Sequence, residues 1–123
     1  MTERPTRCFL LARQGPDDPE ETIAEHLEEL ALLTQACGME AVGAQKLRRP
    51  VIDSRTFFGK GQIDLVAQEA RRLDATVLIC DDELSGSQVR NLEKTTGMTC
   101  LDRTGLILTI FEHRAKSREA KAQ

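Results

Sequence analysis

The stretch Ala75-Thr76-Val77-Leu78-Ile79-Cys80, closed by Asp81-Asp82-Glu83, decides the fold. Val77 to Cys80 are apolar in unbroken succession. A strand with one wet face alternates apolar and polar residues. An unbroken run suits a strand covered on both faces, as in parallel sheets held between helix layers. The three acids that follow place charge where such a strand would leave the core.

Downstream, Ser85 and Gln88 have the spacing of a capping box, Val89 and Leu92 face inward, and Gly97 ends that helix. Met98–Leu101 reads as a short strand. Thr104 then opens a last helix with Leu106, Ile107, Ile110 and Phe111 on one face, turning polar from Glu112. Upstream, a helix from about Gly61 to Leu73 carries the apolar stripe Ile63, Val66, Ala67 and Ala70. Met39–Leu47 reads as a strand centred on Ala41-Val42-Gly43-Ala44, ended by Arg48-Arg49-Pro50 because proline cannot donate to a ladder. The first strand is Thr6–Ala12. Between these two, Asp18 is predicted to cap a helix, with Pro19 at its first position and Glu21 as the capping-box acid; Ile23, Leu27, Leu30, Ala31 and Thr34 recur at helical spacing up to Gly38. Strands alternating with helices predict right-handed βαβ units and an α/β fold, a parallel sheet of about four strands with helices on both faces and a longer final helix. Without repeat or linker, residues 1–123 read as one α/β domain.

Composition sets the class. With 40% hydrophobic and 30% charged residues the chain is globular rather than disordered. No apolar run nears the ~20 residues of a membrane helix, and the N-terminus lacks the apolar core of a secretory signal, so a cytoplasmic protein is expected. Cys8, Cys37, Cys80 and Cys100 form no C-x-x-C pair, and His26 and His113 lie at no metal-ligand spacing from them. They read as small buried hydrophobes, and no metal site is expected.

The net charge of −3 is unevenly spread. Asp17, Asp18, Glu20, Glu21, Glu25, Glu28 and Glu29 form a block free of Lys and Arg. Lys46, Arg48, Arg49, Arg55 and Lys60 face only Asp53, and Arg103, Arg114, Lys116, Arg118 and Lys121 face only Glu112 and Glu119. Such segments are either solvated faces or a docking surface for phosphate.

In parallel sheets ligands bind beyond the carboxyl ends of the strands. Arg13-Gln14-Gly15, Arg48-Arg49, Asp81-Asp82-Glu83 and Asp102-Arg103-Thr104 converge there. Gly59-Lys60-Gly61 precedes a helix start, where free N–H groups and a lysine can hold phosphate; the other reading is a turn with a solvated lysine. Nothing matches G-x-x-x-x-G-K-[ST] or G-x-G-x-x-G. Asp81, Asp82 and Glu83 either hold Mg2+, with Asp81 or Asp82 near a nucleotide, or act as acid and base, or form a solvated loop favouring the next helix. Neither histidine is expected in this rim, so no Ser/His/Asp set is legible. With no Trp or Tyr and four Phe, base stacking has few platforms: Phe9 and Phe111 are core candidates, and only Phe57 and Phe58 are candidates for exposure.

An ordered set of segments resembles a known family. These are Phe58-Gly59-Lys60-Gly61 before a helix; Asp81-Asp82-Glu83-Leu84-Ser85 with Gln88, Arg90, Asn91, Leu92 and Glu93; and Asp102-Arg103-Thr104 with Ile107, Ile110, Phe111, Arg114, Ala115, Arg118 and Glu119. Together they resemble the N-terminal domain of HflX-type GTPases over nearly the whole chain. The resemblance implies a cytoplasmic family that binds the large ribosomal subunit and separates stalled or idle ribosomes. Its N-terminal α/β domain helps dock on rRNA and modulates a G domain that follows a helical hairpin; some members bind ATP outside the G domain. The sequence departs at Gln62, where a basic residue is common, at Gly86, where proline is usual, and at Ala120 and Ala122 in place of Gly and Leu. It carries no G domain, so GTP and Mg2+ belong to that downstream part and no cofactor is required here. The expectation is a non-catalytic ribosome-docking and regulatory domain. Arg48, Arg49, Arg114, Lys116 and Arg118 would meet rRNA, and the last helix would meet a helical linker or G domain in cis. Arg90, Asn91, Asp102, Arg103 and Thr104 are assigned to structure. The alternative is a small ATP- or GTP-binding module using Gly59, Lys60, Gly61, Asp81 and Asp82. The sequence leaves open whether this is an excised domain or a free-standing relative.

Overall fold

The computed structural model describes residues 5–122. In chain order the elements are β1 (Thr6–Gln14), α1 (Glu20–Ala36), β2 (Met39–Arg48), α2 (Lys60–Arg72), β3 (Val77–Cys80), α3 (Gly86–Thr96), β4 (Thr99–Leu101) and α4 (Arg103–Ala122). The strands form one four-stranded sheet in the order β2-β1-β3-β4, every pair parallel. The unbroken apolar run is the reason. Val77, Leu78, Ile79 and Cys80 are all buried, with alternate side chains in the two helix layers.

The order reverses direction once. The chain steps from β1 outward to β2, then returns past β1 to β3 and on to β4. Right-handed crossovers in opposite directions put their helices on opposite faces. Accordingly Ile23, Leu27 and Leu30 of α1 and Leu106 and Ile110 of α4 cover Cys8, Leu10 and Ile79. Ile63, Val66 and Ala70 of α2 and Leu92 of α3 cover Phe9, Leu11 and Leu78 on the other face. Each of the buried Val, Leu, Ile and Phe side chains contributes about 1.5–3 kcal/mol by burial. At Gly43 the Phe9 ring of the paired strand β1 leaves no room for a side chain, since a Cβ there would lie 2.6 Å from it.

Helix ends follow local chemistry, with one departure. The Ser85 hydroxyl accepts the Gln88 N–H at 3.1 Å, the Gln88 side chain accepts the Ser85 N–H at 2.9 Å, and Gly97 closes α3 with φ 70°. At α1, by contrast, Pro19 is the cap itself and no side chain caps the helix. Asp18 instead accepts the Gly15 N–H at 2.8 Å, so its carboxylate closes the preceding turn and Glu21 has no capping-box partner.

The aromatic assignments divide. Phe9 is core, but Phe111 is 61% exposed, because only Leu106 and Ile110 of α4 reach the sheet. Phe57 and Phe58, read as candidates for exposure, are buried at 5% and 0%. They stack edge to face at 5.0 Å under the loop between β2 and α2.

Candidate functional site

The crevice of this topology lies between the carboxyl ends of β1 and β3, where the strand order reverses. Here it is filled from within. The Arg13 N–H donates to Asp82 Oδ2 at 2.9 Å, and the Cys80 thiol lies 3.6 Å from the same oxygen. Burial raises the Asp82 carboxyl above its ordinary range.

The other two acids of that loop turn elsewhere. Asp81 faces the α1–α4 layer, with its Oδ1 2.6 Å from Arg103 Nη1 and its Oδ2 3.6 Å from His26 Nδ1. Arg103 Nη2 also reaches Glu29 of α1 at 3.9 Å. Glu83 holds the Thr104 hydroxyl 2.8 and 2.7 Å from its two oxygens. Asp102 caps α4 through the Gly105 N–H at 2.8 Å and ties the loop through the Leu84 N–H at 3.1 Å. His26 therefore does join the rim, against the sequence expectation. The sequence hides this because α1 is brought to Asp81 only by the sheet order. Asp81, Asp82 and Glu83 do not converge, and among the described residues no group of three or more His, Cys, Asp and Glu could hold a metal ion.

Gly59, Lys60 and Gly61 start α2, on the face opposite Asp81's partners, so the structure does not bring Lys60 together with the Asp81 carboxylate. The Gly59 N–H is taken by Gln62 Oε1 at 3.1 Å, and Gln62 donates to the Arg48 carbonyl at 2.9 Å. Gln62 is thus a tie between the α2 start and the β2 end. Two motif amides of α3 hold the neighbouring loop: Gln88 donates to the Asp53 carbonyl at 3.1 Å and Asn91 to the Arg55 carbonyl at 3.0 Å. Arg90 has no described partner.

The ends of β1 and β2 are built from arginines on neutral oxygens. Arg13 Nε donates to the Arg49 carbonyl at 2.9 Å and its Nη2 to the Pro50 carbonyl at 3.1 Å. Arg49 Nε donates to the Val51 carbonyl at 2.9 Å. Beside them lies an open hollow of about 280 Å3, lined by Gln14, Gly15, Pro16, Arg48, Arg49 and Pro50. Among the described residues, Arg13, Arg48, Arg49, Arg55 and Lys60 form no ion pair, whereas Lys46 pairs with Glu20 at 2.9 Å. Arg114, Lys116 and Arg118 are exposed on α4, away from this rim along the helix. No described helix is long and apolar enough to cross a membrane.

Comparison with known proteins places this arrangement. A family profile described as GTP-binding GTPase N-terminal matches residues 24–112. A GTPase HflX of Lacrimispora saccharolytica is 42% identical over 123 residues, covering 100% of this chain and 29% of that protein. The GTPase HflX of Escherichia coli is 36% identical over 99 residues, covering 80% of this chain and 23% of its own length. The chain thus spans under a third of the relatives it matches. In fold it is similar to a crystal structure of an SsGBP and GDP complex, with TM-score 0.62 and 20% identity over 94% of this chain and 32% of that one. It is also similar to a GTP-binding protein of Sulfolobus solfataricus in complex with GDP, with TM-score 0.57 and 16% identity over 86% of this chain and 30% of that one. The profile match over residues 24–112 and the HflX relatives together show that this chain belongs to the GTP-binding GTPase N-terminal family, the N-terminal domain found in HflX proteins.

Proposed function

We propose that this domain docks a cytoplasmic GTP-binding protein onto RNA of the large ribosomal subunit and takes no part itself in phosphoryl transfer. The observation that supports this reading is the positive rim at the ends of β1 and β2, whose cations form no ion pair among the described residues. A guanidinium bonded to a carbonyl has no formal counter-charge beside it, whereas the field of one bonded to a carboxylate is largely offset by its partner. Backbone oxygens hold Arg13 and Arg49 in place, and with Arg48, Arg55 and Lys60 they offer cationic donors that suit phosphate oxygens. The exposed Ile107, Leu108 and Phe111 of α4 are the proposed contact for a helical linker or G domain in cis. GTP and Mg2+ then belong to that G domain, and the domain described here requires no nucleotide.

Co-sedimentation of the chain with large ribosomal subunits across a salt series tests this. Phosphate docking through ~3–5 contacts loses roughly one to three decades of affinity between 50 and 200 mM salt. Charge reversal of Arg48 and Arg49 should abolish most of that binding. Binding indifferent to salt and to both reversals would overturn the reading.

A further inference from the structure

Strand β2 is the long edge of the sheet. It has 10 residues, and among the described residues β1 is its only partner strand. The opposite edge strand, β4, has 3. Edges are commonly blunted by shortness, proline or a bulge. β2 does carry a bulge, but near its start: Cys8 pairs with Ala41 and Phe9 with Gly43, so Val42 is skipped. From Gly43 to Arg48 the register with β1 is regular, and no proline interrupts it.

The bulge has a second effect. In a regular strand, residues three apart point to opposite faces. Here Ala41 lies beside Cys8 and Ala44 beside Leu10, and both Cys8 and Leu10 belong to the layer covered by α1. Across from them α1 presents Ala24 and Ala31. Four small side chains leave that layer unfilled. An open hollow of about 430 Å3 remains between α1 and β2, lined in part by Leu10, these four alanines and Glu28. The flank of α1 that overlooks it is acidic. Glu21, Ala24, Glu28 and Ala31 follow one another at steps of three and four, and so share one face of the helix. Neither Glu21 nor Glu28 forms an ion pair among the described residues. Lys46, the cation that lines the hollow, is held by Glu20 at 2.9 Å.

We propose that β2 accepts an extended basic protein segment as a fifth strand, which seats an apolar side chain in the hollow and turns a Lys or Arg on the same face toward Glu28 and Glu21. The open backbone edge supplies hydrogen bonds, and the hollow selects the side chain. Charge complementarity selects the occupant. RNA and anionic lipid would be repelled by the acidic flank. A second copy of the chain fails on the same ground. Its β2 would pair antiparallel about a two-fold axis, and opposed residues of an antiparallel pair share a face. Both α1 helices would then stand on one face of the joined sheet, acidic flank toward acidic flank. The site goes beyond the RNA-docking reading and does not depend on it, since it lies along the side of β2 rather than at the strand ends.

The test uses fluorescein-labelled octapeptides titrated into the 123-residue chain and read by anisotropy. The first has threonine at every second position, with lysine and valine alternating at the others, so that both face α1 when it pairs with β2. It should bind. Replacing its valines by serine should weaken binding about tenfold, from the lost burial of one or two aliphatic side chains. Replacing its lysines by glutamate should abolish binding. Glu28 is exposed, so Glu28→Lys should melt with the parent while weakening the first peptide about fivefold at low salt. Successive N–H groups of a strand point to opposite edges. Of two peptides N-methylated at the odd or at the even positions, only one should therefore still bind. Failure of the first peptide to bind, equal binding of the valine and serine peptides, or binding of both N-methylated peptides would overturn the proposal. A dimer in sedimentation that the first peptide does not dissociate would overturn it in favour of a second copy on this edge.

Discussion

The two halves of the sheet's carboxyl edge use the same residue types to opposite effect. At β3 and β4, each charged group finds an opposite or a donor: Asp81 with Arg103 and His26, Glu83 with Thr104, and Asp102 with two N–H groups. At β1 and β2, Arg13 and Arg49 bond to backbone carbonyls and form no ion pair among the described residues. The first half is a joint, fixing α4 against α1. The second is a surface. The lesson is that charge content does not distinguish them; the identity of the acceptor does.

Disrupting either half should separate stability from binding, and the largest effect is expected beneath the surface half. Phe58→Ala removes a fully buried ring under the loop and should lower stability by about 3–5 kcal/mol, read by denaturant unfolding. A loss below about 1 kcal/mol would mean that the loop is not anchored there.

In the joint, Arg103→Ala leaves the half-hidden Asp81 without its short ion pair. With Arg103 34% exposed, solvent takes up part of the loss, and about 1–2 kcal/mol is expected. A double-mutant cycle with Asp81→Asn should show coupling, while RNA binding in the salt series stays as in the parent. Arg48→Ala should do the reverse: an unchanged melting temperature, and a salt slope lower by about 0.9 or less. If both variants alter both readouts, the division between joint and surface fails.

The plug between the halves titrates. Burial raises the folded-state Asp82 pKa above its unfolded value of about 3.9, so the folded state holds that proton more tightly. Its contribution is complete below the unfolded value and is lost as pH rises through the folded one. The parent should therefore lose stability relative to Asp82→Asn as pH climbs from about 4 toward neutrality. A constant difference across that range would contradict it.

The smallest effect concerns the thiols. Burial pushes Cys8 and Cys100 up to about 11 and Cys80 well above its ordinary value. Cys37, at the end of α1 and 9% exposed, is raised less far by the same cause and should be the first to react with a disulfide reagent at pH 8.

Much of this was legible without coordinates. The unbroken run Val77 to Cys80 implies burial on two faces, and the alternation of strands and helices implies parallel order, because both follow from local periodicity. The Ser85–Gln88 box and the Gly97 stop were readable for the same reason: each involves groups within four residues of one another. The Asp81–Glu83 and Asp102–Thr104 segments could be seen to share an edge, since consecutive strand ends must.

What tertiary structure alone decided is which partner each charged or aromatic group takes across long sequence separations. His26 meets Asp81 because α1 and α4 share a face, and that follows from the single reversal in strand order. Phe57 and Phe58 are buried and Phe111 is not, because the loop after β2 folds over α3 while α4 leaves the sheet after Ile110. Arg13 holds the carbonyls of residues 36 and 37 positions away rather than a carboxylate. Periodicity records only which way a side chain points within its own element. The element waiting on the other side is set by topology, and with it whether an arginine is ion-paired or left to bind.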